Sequence, residues 1–107
     1  MRKIEREMQS AICNLSNGQS WSKSNTRVEK DSEGNTSVYL HNNRITFVDK
    51  FGDLWLSSCG WETNTTKSRL NAILDTFLHG ASIFQKDFQW YVDDLSTPFF
   101  DGFHIAR

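Results

Sequence analysis

The chain has 107 residues, of which 37% are hydrophobic and 23% charged, and its formal net charge is −1. That is enough for one small domain, 1–107, and the composition is globular rather than disordered. Near-neutral charge argues against a strongly basic nucleic-acid binder and against a polybasic membrane anchor. Charge is nonetheless uneven: residues 1–30 hold six Lys or Arg against three Glu, and residues 31–66 hold two basic residues against five acidic ones. The eight Phe, four Trp and two Tyr let a modest core be assembled from few side chains.

The charged N-terminus, MRKIEREMQS, lacks the apolar stretch of an export signal, and no apolar run approaches the roughly 18 residues of a membrane span. The first predicted element is a helix over 3–15. Ile4, Met8, Ile12 and Leu15 form one apolar stripe with Ala11 beside it, and Arg6, Glu7 and Gln9 lie on the remaining surface. Asn17-Gly18 marks the turn that ends it.

From Trp21 to Trp61 the pattern is that of short strands and tight turns. Val28 begins one strand, and DSEGN is a hairpin-like connection. Val38 and Leu40 then share a face opposite Tyr39, and Ile45 and Phe47 share a face opposite Arg44, Thr46 and Val48. KFGD is a turn, and Leu54 and Leu56 lie opposite Trp55. A second helix is predicted over 65–78, with Leu70, Ile73, Leu74, Phe77 and Leu78 at helical spacing. Thr65 or Thr66 is the expected N-cap, and His79-Gly80 the expected C-terminal end. A last hairpin turning near Lys86-Asp87, and a short terminal strand after Asp101-Gly102, complete the chain. The fold class expected is α+β: an antiparallel sheet of about five to six short strands with both helices packed on one face.

Several of these stretches taken together resemble a family of small uncharacterised proteins of tailed bacteriophages. The most specific are Asn25-Thr26-Arg27-Val28, the run from Gly60-Trp61 through Thr63, Thr65 and Thr66 to Arg69-Leu70-Asn71, and Gln89-Trp90-Tyr91-Val92. The resemblance covers nearly the whole chain. It implies a single α+β domain acting inside an infected bacterium on host or phage machinery, with no activity or catalytic residues to carry over. Where such proteins often have Gly-Asn after a His or Leu, this chain has Asn42-Asn43 after His41; asparagine also tolerates left-handed backbone.

Motifs of catalysis are absent by residue type and spacing. There is no Gly-x-Ser-x-Gly elbow, no phosphate-binding glycine loop, and no HExxH or CxxC. His41, His79 and His104 stand far apart, so no metal site is expected. Cys13 and Cys59 lie far apart and read as reduced, packed thiols rather than nucleophiles or a disulfide. Asp49, Asp53, Asp93, Asp94 and Asp101 read as solvated turn carboxylates. No catalytic residue and no cofactor are expected.

The unusual feature is the start of the second helix, where Lys67 and Arg69 oppose the helix dipole. With Trp61, Thr63, Thr65 and Thr66 they form an expected partner- or anion-binding surface, although solvation, or pairing of either cation with Glu62 or another acid, accounts for them equally simply. Trp55, Tyr39 and Tyr91 stand opposite the core faces of their strands. The expectation is that helices or a second protomer cover them, giving a homodimer; if that face is open near Arg44 and Lys86, bases could stack on it. The functional expectation is a non-enzymatic phage accessory protein in the host cytoplasm. It binds a host or phage protein and modulates it, as inhibitor or adaptor in host takeover or counter-defence. A nucleic-acid-binding module is the alternative.

Overall fold

The computed structural model describes residues 2–77, 82–93 and 97–106. Leu78, His79, Gly80 and Asp94 lie outside them. Helix α1 (Lys3–Asn14) is followed by five strands, β1 (Ser20–Lys23), β2 (Thr26–Lys30), β3 (Thr36–Leu40), β4 (Asn43–Val48) and β5 (Leu54–Leu56). Helix α2 (Asn64–Phe77) then leads to β6 (Ile83–Lys86), β7 (Gln89–Val92) and β8 (Phe103–Ile105). The sequence pattern merges β1 into its flanking polar run, because SWSK shows no apolar alternation; pairing with β2 is what makes it a strand.

The main sheet has the order β1-β2-β3-β4-β5-β8, and every neighbouring pair is antiparallel. It is a five-strand meander closed on one side by the terminal strand. The β6-β7 hairpin is a separate two-stranded sheet joined to α2, where the Asn71 side chain accepts from Ile83 N–H at 2.6 Å and donates to Ile83 C=O at 3.0 Å. The domain is therefore α+β, with both helices against one face of the antiparallel sheet. Met8 and Ile12 of α1 and Leu70, Ile73 and Leu74 of α2 pack into one core with Val28, Val38, Leu40, Val48, Leu54 and Leu56.

The connections follow from local hydrogen bonding. DSEGN (31–35) and DKFGD (49–53) are the same device, placed after β2 and after β4. In each, the leading aspartate Oδ1 accepts from the N–H groups two and four residues on, and the glycine takes positive φ (Gly34 +91°, Gly52 +95°). The two loops are neighbours, tied by Lys50 N–H donating to Asn35 Oδ1 at 2.9 Å. These aspartates organise their turns rather than being merely solvated. Asn42 has φ +65°, so the position where the resemblance places glycine does need left-handed backbone. At the β6-β7 turn Asp87 and Phe88 both take positive φ, and Phe88 is 92% exposed, an expensive geometry for a bulky residue.

One irregularity changes the sequence reading of β4. Val38 pairs with Thr46, but Tyr39 pairs with Arg44, so Ile45 is an extra residue in a bulge. Simple alternation puts Ile45 and Phe47 together. The bulge instead leaves Thr46 and Val48 in the core, buries Ile45 beside them, and turns Phe47 to the opposite face with Arg44. The helix cover expected for the outer aromatics is also corrected. Among the described residues no helix lies over Tyr39 and Trp55, which are half-buried on the far side of the sheet, whereas Tyr91 belongs to the small hairpin sheet.

Candidate functional site

The loop from β5 to α2 is built on Asp101. Its carboxylate accepts from Ser58 N–H and Ser58 Oγ, both at 2.8 Å, and from Gly60 N–H at 3.3 Å. This carboxylate clamps the loop to the turn that precedes β8. Cys59 takes φ +54° and its thiol donates to the Arg44 carbonyl at 3.1 Å. Neither cysteine is in a disulfide: Cys59 is half-buried, while Cys13 is exposed, against the expectation of a packed thiol.

Held by this loop, Trp61 projects with 64% of its surface exposed. It stands over a pocket of about 560 Å³ lined by Leu40, His41, Asn43, Ile45, Ser58, Thr63, Thr65 and Thr66. The structure thus gathers Trp61, Thr63, Thr65 and Thr66 into one place, between the start of α2 and the β3-β4 turn. The N-cap is Thr63, not Thr65 or Thr66. Its Oγ1 accepts from Thr66 N–H at 3.1 Å, and its carbonyl accepts from Lys67 N–H at 3.0 Å. Replacing Thr63 with Ala is expected to cost about 1 kcal/mol of folding stability, read from the urea midpoint at unchanged m-value.

Arg69 departs from the expected site. With Asn64 as the first helical residue, it falls in the second turn and points inward, only 3% exposed. Its Nη1 donates to Glu5 Oε2 at 2.8 Å, its Nε to Thr26 Oγ1 at 3.0 Å, and its Nη2 to Asn25 Oδ1 at 3.3 Å. Two of the stretches that carry the phage resemblance, Asn25-Thr26 and Arg69-Leu70-Asn71, therefore meet in a buried polar network. Glu5 completes it: Oε1 accepts from Arg2 N–H at 3.2 Å, and Oε2 also accepts from Ser68 Oγ. Burial pushes the Glu5 carboxyl up, but the bonds from Ser68, Arg2 N–H and Arg69, with the Arg69 charge, together hold it below the usual glutamate range. Arg69 is a structural cation, unavailable to an external anion. Lys67, half-exposed on the first turn, is the cation left at the helix start.

The bare sheet face is a second place where side chains converge. Strand register puts Ser22, Arg27, Tyr39 and Arg44 in one cross-strand row, and Ser20, Glu29, Ser37, Phe47, Trp55 and His104 in the next. The Arg27 guanidinium lies 4.2 Å from the Tyr39 ring centre, and that of Arg44 lies 5.1 Å from the Phe47 ring centre. Phe47 and Trp55 are 5.8 Å apart between ring centres, and Trp55 stacks on His104 at 4.6 Å with planes 9° apart. A cleft of about 490 Å³ opens between Arg44, Phe47, Trp55 and Gly102. Lys86, expected beside Arg44, is instead at the end of β6 in the separate hairpin sheet.

These features define a small α+β domain with helices on one face of an antiparallel sheet and, among the described residues, no helix on the opposite face. The chain belongs to the Kyanoviridae Gp96 protein family, a bacteriophage family whose model matches residues 1–106. No curated protein and no solved structure matches it. No helix among the described residues is long and apolar enough to cross a membrane.

Proposed function

We propose that the protein is a non-enzymatic phage accessory factor that binds a host or phage protein in the host cytoplasm and modulates it, as inhibitor or adaptor. The observation that carries this is Trp61, a large aromatic held 64% exposed by a loop clamped to Asp101, at the lip of a pocket of about 560 Å³. Tryptophans presented in this way are among the commonest energetic anchors of protein interfaces. The pocket offers an apolar floor from Leu40 and Ile45 and hydroxyl donors from Thr63 and Thr65. The Lys67 side chain and the N–H groups of Asn64 and Thr65, the first-turn donors that Thr63 does not cap, favour an acidic group on the partner. The partner that fits is an extended segment bearing one apolar side chain and a nearby carboxylate.

Affinity purification of tagged protein from infected cells, with and without nuclease, tests this reading. The expected result is a partner that survives nuclease and is lost on Trp61→Ala, with direct affinity lowered by roughly 30-fold or more. A partner retained unchanged by Trp61→Ala and by Lys67→Glu would count against the site.

A further inference from the structure

We propose that the uncovered face of the main sheet binds single-stranded nucleic acid, a role separate from protein binding at Trp61. That face carries no aliphatic side chain in its two cross-strand rows. Register gives it serines, two arginines, rings and one acid, Glu29, already paired with Arg27 at 2.9 Å. Arginines interleaved with aromatic rings are the chemistry of bases and phosphates.

The geometry adds a place for a base. The cleft of about 490 Å³ is lined by Arg44 and by the adjoining rings of Phe47 and Trp55, with Ile45 and Leu56 also on its lining. Among the described residues Arg44 has no acidic partner within 4.0 Å, so its charge is available to a phosphate. Arg27 and Tyr39 continue the track across β2 and β3. Bases must be unstacked to reach these rings, so the ligand is a single strand; a duplex would offer the face only its phosphates. The bulge at Ile45 is what makes the site, since it turns Arg44 and Phe47 to the same side.

The test is fluorescence anisotropy of the full chain with labelled oligodeoxythymidine and oligouridine of about 15 nucleotides, and a duplex of equal length. Salt is kept low at first, about 50 mM. Binding of either single strand, with the duplex clearly weaker, is the expected result; the stronger of the two tells DNA from RNA. Arg44→Glu, a surface change, is expected to lower affinity at least about 10-fold, and Trp55→Ala similarly. The slope of log affinity on log salt is expected near about −0.7, for the one phosphate that unpaired Arg44 neutralises, and close to flat in Arg44→Ala. Lys86→Glu and Trp61→Ala are expected to leave binding intact, which separates this surface from the pocket. Absence of binding at low salt, equal binding of duplex, or indifference to Arg44→Glu would overturn the proposal. So would a dimer that Arg44→Glu converts to monomer without any oligonucleotide binding.

Discussion

Arg69→Met is expected to destabilise the fold by about 3–5 kcal/mol, a large share of the stability of a domain this size. The substitution leaves Glu5, itself 1% exposed, as a buried charge without its cation, removes the donor to Thr26 Oγ1, and leaves Asn25 Oδ1 with only its bond from Thr26 Oγ1. Arg69→Lys is not expected to rescue it, because an ammonium cannot span the three acceptors that the guanidinium fork reaches. The double change Glu5→Leu, Arg69→Met is expected to recover much of the loss, since replacing both ions removes the desolvation cost along with the attraction. Urea unfolding of wild type and the three variants gives the comparison. If Arg69→Met proves as stable as wild type, the network contributes nothing.

The same network makes stability depend on pH. The folded Glu5 carboxyl titrates below its unfolded value of about 4.3, so the unfolded chain takes up the proton first as pH falls. Its contribution is complete above that value and is lost as pH drops through the folded pKa. Stability of wild type and Glu5→Gln, compared from about pH 3 to about pH 7, should show the acid limb flattened in the variant.

Trp90→Ala is the second large effect, expected at about 3–5 kcal/mol. Trp90 is 1% exposed and packs against Phe99 at 5.7 Å between ring centres, and Phe99 in turn stacks with Phe103 of β8. Its backbone carbonyl also accepts from Phe99 N–H at 2.9 Å. Truncation empties the largest fully buried side chain among the described residues, at the point where the hairpin meets the main body. Loss of thermal stability should be accompanied by faster amide exchange in 83–92 than in β2 and β3. Equal loss of protection in all three would mean the hairpin and the meander unfold as one unit.

Much of the architecture is legible in local pattern. The helical spacing of Leu70, Ile73 and Leu74 and the alternation of Val38 and Leu40 against Tyr39 each report burial directly, because one face of each element meets the core. The turn residues speak for themselves as well: Asn42 at φ +65° and the glycines of the two aspartate loops satisfy backbone conditions that are local. The gathering of Trp61, Thr63, Thr65 and Thr66 is also a local matter, since they flank one helix start.

What pattern could not reach depends on partners distant in the chain. Arg69 reads as a surface cation because its acid, Glu5, is 64 positions away. Asp101 carries no sign that it clamps Ser58 and Gly60, 43 and 41 residues earlier. The bulge at Ile45 is a mismatch between two strands and is written in neither alone. The sequence by itself determined the α+β class, the two helices and the succession of turns, because those follow from periodicity and backbone preference over a few residues. Only the tertiary structure decided that Arg69 is buried, that Trp61 is held out, and that Arg44, Phe47 and Trp55 share an open face, because burial and convergence are properties of what packs on what.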